Sequence, residues 1–190
     1  MPGLVEIVRK YGLKLVGMKT LIPVGKSDMG LMASNEDYVW LAKHMHSVLK
    51  RSDMEAYFDT EKFYKFIKSA DGSRHSCMAG ISFLSIDPDG NVYPCVVAQD
   101  DAFKAGNIRE QALEDIWKNS EILREWRRTT MDLIPKCSNC EWRMLCGGGC
   151  KVTAYAEHGT IRAPHFYCEA YATLIEDALW EYGIEKAADE

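Results

Sequence analysis

The sequence lacks three features that would place the protein in common functional classes. It has no excess of positive charge, because 28 acidic residues outweigh 23 basic ones and the net charge is −5. This balance argues against a nucleic-acid binder, which normally carries a basic stripe. It has no apolar run of the roughly 18 residues that a membrane span needs, and no signal-peptide pattern near Met1. We therefore expect a cytoplasmic protein without nucleic-acid or membrane partners, whose thiols stay reduced.

The composition is that of a protein with an ordinary core. Hydrophobic residues make up 47% of the 190 positions and charged residues 27%, so extensive disorder is not expected. The length suggests one domain or slightly more.

The first third of the chain alternates helical and strand-like patterns. The apolar spacing predicts a helix over Gly3–Tyr11, a buried strand over Leu13–Val24, and a second helix capped by Asn35 that runs to about Arg51. Residues Met54–Ala70 predict a short strand and then a third helix from about Thr60. This order is typical of a parallel α/β layer.

The rest of the chain predicts a hairpin followed by helices. The sequence Asp87-Pro88-Asp89-Gly90 is a strong turn signal between two strand patterns, the second of which contains Cys95. Helical patterns follow, and in the first of them Arg124, Arg127 and Arg128 are expected to form one solvated face. The further ranges are 107–128 in two pieces, 152–159, and a last helix from about Cys168 to Tyr182.

Seven cysteines are the strongest signal in the sequence. Four of them fall in one short stretch, as Cys137-x2-Cys140-x5-Cys146-x3-Cys150. Core cysteines have no reason to recur at ligand spacing, and an odd number in a reducing compartment points to metal rather than to disulfides. Gly147–Gly149 lie between the last pair and permit positive φ angles beside a bulky group. The stretch therefore predicts an iron–sulfur or metal site.

The whole cysteine pattern resembles the SPASM domain of radical S-adenosylmethionine (radical SAM) enzymes that modify peptides and proteins. Cys77 is followed after 12 residues by Gly90 and after four more by Cys95; a gap of 41 precedes the cysteine run, and a gap of 17 leads to Cys168. The sequence segments DPDGNVYPC, GNI and LEDIWKNSE also resemble the corresponding segments of this family.

The resemblance implies an α+β fold with two auxiliary [4Fe–4S] clusters. A β-hairpin and helices in residues 71–190 would surround the clusters, preceded in residues 1–70 by a remnant of the radical SAM partial TIM barrel. The implied ligands are Cys77, Cys95 and Cys150 for the first cluster, and Cys137, Cys140, Cys146 and Cys168 for the second. No catalytic residue is assigned.

Three departures from the family affect the expected function. No cysteine stands just upstream of Cys77, so the first cluster keeps an open site or uses His75, Asp71 or a substrate as fourth ligand. Val96 stands where the sulfatase-maturing branch has an aspartate with an assigned base role, so that reaction is not expected here. The three-cysteine CxxxCxxC motif, which holds the catalytic cluster and S-adenosylmethionine, does not occur in these residues.

We therefore expect an iron–sulfur protein that serves electron transfer and substrate positioning, as a fragment or split subunit of a radical SAM enzyme. Its expected partners are a radical SAM catalytic core, a peptide or protein substrate, and a ferredoxin or flavodoxin as electron donor. The alternatives are a stand-alone electron-transfer module and an interaction protein stapled by zinc at Cys137, Cys140, Cys146 and Cys150. The zinc alternative leaves Cys77, Cys95 and Cys168 unexplained.

Overall fold

The computed structural model describes residues 2–13, 15–17, 19–25, 27–50, 55–57 and 77–189. The fold is α+β, and the chain divides into two compact units. The first comprises residues 1–21, 33–73 and 169–190, and the second residues 22–32 and 74–168. Within the described ranges, no helix combines the length and apolar character that crossing a bilayer requires.

The described residues of the first unit form a small parallel sheet and three helices. The elements are α1 (Pro2–Lys10), β1 (Leu15–Gly17), α2 (Asn35–Lys50), β2 (Glu55–Tyr57) and the part of α8 (Cys168–Asp189) that starts at Glu169. Strands β1 and β2 pair in parallel, with Val16 opposite Ala56. Parallel neighbours need a crossover connection, and α2 lies within the one that joins them.

Helix α2 packs against α8. Tyr38 is fully buried and its ring lies 6.0 Å from that of Tyr171, while Lys43 pairs with Asp177 at 2.7 Å. The cap of α2 differs from the expectation, because Ser34 Oγ accepts the Asp37 N–H at 3.0 Å. Asn35 Oδ1 instead accepts the N–H of Ala170, also at 3.0 Å.

The second unit is built on a three-stranded antiparallel sheet. Strands β3 (Ser85–Ile86), β4 (Asn91–Tyr93) and β5 (Gly106–Asn107) follow each other in the sheet. The predicted turn at Asp87 is confirmed, since its carboxylate accepts the N–H groups of Asp89 and Asn91 at 3.0 and 2.9 Å. The Asn91 side-chain amide also donates to this carboxylate, at 2.9 Å. That bond contributes most to lowering the pKa of Asp87, and the two backbone bonds lower it further.

Short helices follow the sheet along the chain. They are α3 (Leu113–Asn119), α4 (Glu121–Arg128), α5 (Pro135–Ser138), α6 (Arg143–Cys146) and α7 (Lys151–His158). The predicted break in the first helical pattern is confirmed at Ser120, whose Oγ accepts the Leu123 N–H. Gly159 ends α7 at a φ of 69°, as its sequence position predicts.

The core of the second unit gathers aromatic side chains around Trp126. This indole is 1% exposed, and the Phe103 ring meets it edge to face at 5.1 Å. The same cluster of packed residues contains Cys77, Cys95 and Cys150. Three of the predicted ligands are therefore part of the core rather than of a surface loop.

Several predicted boundaries are wrong. Among the described residues of the strand expected over Leu13–Val24, only Leu15–Gly17 form a strand, and residues 22–32 belong to the second unit. Cys95 lies two residues beyond β4 rather than on it, and α8 continues past Tyr182 to Asp189. Strand β5 was not expected. The helix predicted from about Thr60 lies outside the described residues.

Candidate iron–sulfur site

Three of the cysteines come together in the core of the second unit. The pKa of the Cys95 thiol is raised to about 11, mainly by burial and to a smaller extent by the nearby charges of Cys150 and Cys77. Burial also raises the pKa of Cys150, again with a contribution from Cys77. Segments far apart in sequence supply these thiols: the approach to β3, the turn after β4, and the residue before α7.

A second set of cysteines lies around the first turns of α5 and α8. Burial raises the pKa of Cys137, with further contributions from the charges of Cys168 and Cys140. Cys137 packs with Met131 and Ile134 in a small apolar cluster. These thiols therefore share one environment that is partly shielded from water.

Cys146 is located by its contact with a histidine. Its Sγ lies 4.0 Å from Nε2 of His165, and the carbonyl of His165 accepts the Cys168 N–H at 3.0 Å. Cys146 is thus linked through one residue to Cys168. The sequence gives no prior signal for His165.

The glycine run between Cys146 and Cys150 has the backbone that its composition predicts. Gly147, Gly148 and Gly149 have φ angles of 68°, 82° and 67°, a region that side chains other than glycine rarely enter. Cys146 ends α6 and Cys150 precedes α7. The three glycines thus allow the chain to turn sharply between Cys146 and Cys150, so that the two thiols can point in different directions.

The donor chemistry fits iron–sulfur clusters, which proteins hold through cysteine thiolates. Among the described residues, no three His, Cys, Asp or Glu side chains form a group able to hold a single metal ion. Four iron atoms take up more room than one, so a cluster spaces its thiolates more widely than an ion does. The residues His75 and Asp71, candidates for a fourth ligand, lie outside the described ranges.

A cavity of about 140 Å³ adjoins Cys77. Two cationic side chains, Arg127 and Lys151, line it together with Thr130 and the glycine run, and none of its described lining residues is acidic. Lys151 donates to the carbonyl of Trp126; burial lowers the pKa of its ammonium group, and the charge of Cys77 counteracts this.

Arg127 is not part of a solvated face, contrary to the expectation from sequence. Its Nε and Nη1 each donate at 2.7 Å, to the carbonyls of Gly80 and Trp117, and its guanidinium lies over the Trp117 ring at 4.3 Å. Arg124, in contrast, forms a surface pair with Glu121 at 2.9 Å. One residue of the predicted solvated face, Arg127, therefore holds the segment that follows Cys77 in place.

Comparison with known proteins identifies a family for the segment that contains the first four of these cysteines. Residues 77–141 match the SPASM family model, described as an iron-sulfur cluster-binding domain. The SPASM resemblance is confirmed for this segment. Cys77, Cys95, Cys137 and Cys140 lie inside the matched SPASM residues, and Cys146, Cys150 and Cys168 follow them.

Curated relatives of this chain are longer than it. An AdoMet-dependent heme synthase from Methanosarcina barkeri is 26% identical over 179 residues, which are 86% of this chain and 50% of that protein. A PqqA peptide cyclase from Xanthomonas oryzae pv. oryzae is 36% identical over 97 residues, 49% of this chain and 26% of that one. The chain thus spans at most about half the length of these relatives.

A solved structure shows the same fold. The structure described as native anSMEcpe with bound AdoMet superposes with a TM-score of 0.70 at 17% identity, covering 97% of this chain and 52% of that one. The likeness at this identity concerns the fold. It includes both compact units of the chain.

Proposed function

We propose that the chain carries two auxiliary [4Fe–4S] clusters with interleaved ligands. The first would be held by Cys77, Cys95 and Cys150, and the second by Cys137, Cys140, Cys146 and Cys168. The observation that carries the proposal is the division of the thiols into two environments. Cys150 packs in one cluster with Cys77 and Cys95, and the charge of Cys77 raises its pKa. The pKa of Cys137 is raised instead by the charges of Cys168 and Cys140.

The same division argues against zinc at Cys137, Cys140, Cys146 and Cys150. Such a site needs Cys150 beside Cys137 at tetrahedral distances. Instead, burial and the charge of Cys77 raise the pKa of the Cys150 thiol, while backbone N–H groups of α7 lower it. A zinc-stapled interaction protein is therefore kept only as an outcome of the experiment below.

The proposed role is electron transfer and substrate positioning for a radical SAM modification of a peptide or protein. The three-cysteine motif for the catalytic cluster is absent from these 190 residues, so a core outside them would supply it, with a ferredoxin or flavodoxin as electron donor. The cavity beside Cys77 supports substrate positioning. Its cationic lining suits an anionic group held near the first cluster.

Two further expectations belong to this proposal. Residues 1–70 would be the last βα units of a partial barrel, which the parallel pairing of β1 and β2 around α2 supports. The open position of the first cluster would be filled by Asp71, His75 or a substrate.

A second candidate substrate class follows from a relative rather than from the cysteines. The heme synthase aligns with 86% of this chain, whereas the alignment with the peptide cyclase covers 49%. Under this candidate, the chain serves AdoMet-dependent heme synthesis. Heme added to the loaded protein would then show a saturable change in its visible absorption band, and under the peptide candidate it would not.

The first experiment is a metal analysis of anaerobically purified protein. About eight irons and eight sulfides per chain, with a broad visible band that bleaches on reduction, are expected. Zinc without sulfide would overturn the cluster proposal and leave the zinc-stapled scaffold.

Matched cysteine variants then test the ligand division. Cys77→Ser and Cys95→Ser should affect one spectroscopic cluster, and Cys137→Ser and Cys168→Ser the other. The decisive variants are Cys146→Ser and Cys150→Ser, which lie four positions apart and should affect different clusters. Loss of the same cluster in both would contradict the interleaved assignment.

A further inference from the structure

His165 occupies a special position among the cysteines. It lies in the loop between α7 and α8, where its side chain is only 4% exposed. A buried imidazole must find hydrogen-bond partners, because leaving its nitrogen atoms unpaired costs free energy. The orientation of the His165 ring is therefore determined by its hydrogen-bond partners as well as by packing.

Two of those neighbours are proposed ligands of the second cluster. The imidazole Nε2 lies 4.0 Å from the Sγ of Cys146, and the backbone carbonyl of His165 accepts the N–H of Cys168 at 3.0 Å. One residue thus contacts the end of α6 with its side chain and the start of α8 with its backbone.

The glycine run is shaped around the same ring. A Cβ placed on Gly149, whose φ is +67°, would overlap the His165 imidazole. A Cβ on Gly148 would meet only the flexible Met131 side chain, at 3.2 Å. Glycine at position 149 therefore gives the imidazole the room to reach Cys146.

We propose that His165 is a positioning residue for the second cluster, which donates a hydrogen bond from Nε2–H to the Sγ of Cys146. This inference rests on the proposed function, since it needs Cys146 as a thiolate ligand. The tautomer protonated at Nε2 is the one that can donate. The bond fixes the direction of the Cys146 side chain, and the backbone bond to Cys168 fixes a second ligand.

Such a bond has an electronic consequence besides its structural one. Partners of metal ligands orient them and tune the metal, and hydrogen bonds to sulfur are among the factors that set cluster potentials. An N–H directed at a thiolate favours the more negative, reduced state. The bond is stronger in a buried site than in water, so its loss should lower the midpoint potential of one cluster.

The test compares two substitutions of His165 with a matched histidine. His165→Leu removes the donor, whereas His165→Gln keeps an N–H near the place of Nε2. His158→Leu is the control, because His158 lies at the end of α7 and pairs with Glu157 at 3.3 Å. Redox titrations followed by electron paramagnetic resonance give both midpoint potentials, and iron analysis gives the loading.

The expected result is a lower midpoint for one cluster in His165→Leu, with the other unchanged. His165→Gln should remain close to the parent, and His158→Leu should equal it. Loss of half the iron in His165→Leu with retention in His165→Gln would equally support the positioning role.

Other outcomes overturn the inference in distinguishable ways. Equal midpoints in His165→Leu and the parent would refute the hydrogen bond while leaving the two-cluster proposal intact. Equal loss of iron in both His165 variants would assign the residue to packing alone. A parent protein without iron would overturn the proposed function and the inference together.

Discussion

The guanidinium of Arg127 donates at 2.7 Å to the carbonyl of Gly80, a residue 47 positions earlier in the chain. The bond joins α4 to the segment that begins with Cys77. Gly80 has a φ of +67°, and Leu123 and Trp126 of the same helix lie within 3.5 Å of where its Cβ would stand. The segment that carries Cys77 is therefore held against α4 by both packing and hydrogen bonds.

Arg127→Leu is expected to destabilise the protein by roughly 1–3 kcal/mol, because it leaves the carbonyls of Gly80 and Trp117 without their donor. Iron content should fall as well, since Cys77 is three residues from Gly80. The midpoint of urea unfolding and the iron content measure the two effects. Arg128→Leu is the control, because Arg128 is exposed. Equal behaviour of the two variants would show that the bonds to Arg127 do not stabilise this segment.

Leu123 tests the apolar core beside the sheet. It is fully buried and packs with Val92 and Ile116, so Leu123→Ala should destabilise the protein by about 2–5 kcal/mol through lost burial and a cavity. Leu113→Ala, at a position 42% exposed, should change stability by less than about 0.5 kcal/mol. Thermal unfolding of the two variants under identical anaerobic conditions makes the comparison. A small effect at Leu123 would mean that this core collapses around the gap.

The features that the sequence predicts well are those governed by local rules. The turn at Asp87, the break at Ser120 and the glycine end of α7 each depend on a few neighbouring residues. The side chains of Asp87 and Ser120 accept nearby backbone N–H groups, and Gly159 adopts the positive φ that ends the helix. The cysteine spacing adds a pattern specific enough to indicate the SPASM segment. Such signals are readable because their physical cause lies within a few positions.

The features that the sequence does not reveal depend on distant partners. Arg127 shares a helical arginine cluster with Arg124, and its contacts with Gly80 and Trp117 distinguish the two. His165 looks like an ordinary polar residue until Gly149 and Cys146 lie beside it. Asn35 satisfies the rule for a helix cap, yet its side chain bonds to Ala170 in another helix. Tertiary contacts decide each case, and no local pattern reports them.

Removal of iron should expose an order of thiol reactivity. Burial raises the pKa of Cys95 to about 11, so its thiol stays protonated at pH 8, and the thiolate is the reactive form. After chelation of iron, Cys95 should therefore alkylate more slowly than the half-buried Cys140. Its rate should keep rising as the pH approaches 11, because the thiolate fraction is still growing there. Mass spectrometry of iodoacetamide-treated samples gives the rate at each cysteine, and fast labelling of Cys95 at pH 8 would contradict the buried position.

Gly149 and Gly159 form a matched pair for the contact with His165. Their φ angles are 67° and 69°, so alanine at either site carries the left-handed backbone cost of roughly 1–2 kcal/mol. Only Gly149 has a neighbour, because a Cβ on Gly159 meets nothing within 4 Å. Gly149→Ala should therefore destabilise the protein more than Gly159→Ala, as measured by the midpoint of urea unfolding.

The excess should depend on the imidazole itself. In the His165→Ala background, the effect of Gly149→Ala should fall to that of Gly159→Ala, because the overlapping ring is gone and the backbone cost alone remains. The difference between the two backgrounds is the coupling free energy of the pair. An unchanged excess in the His165→Ala background would place the obstruction elsewhere, and would remove the reason for glycine at position 149 that the position of His165 provides.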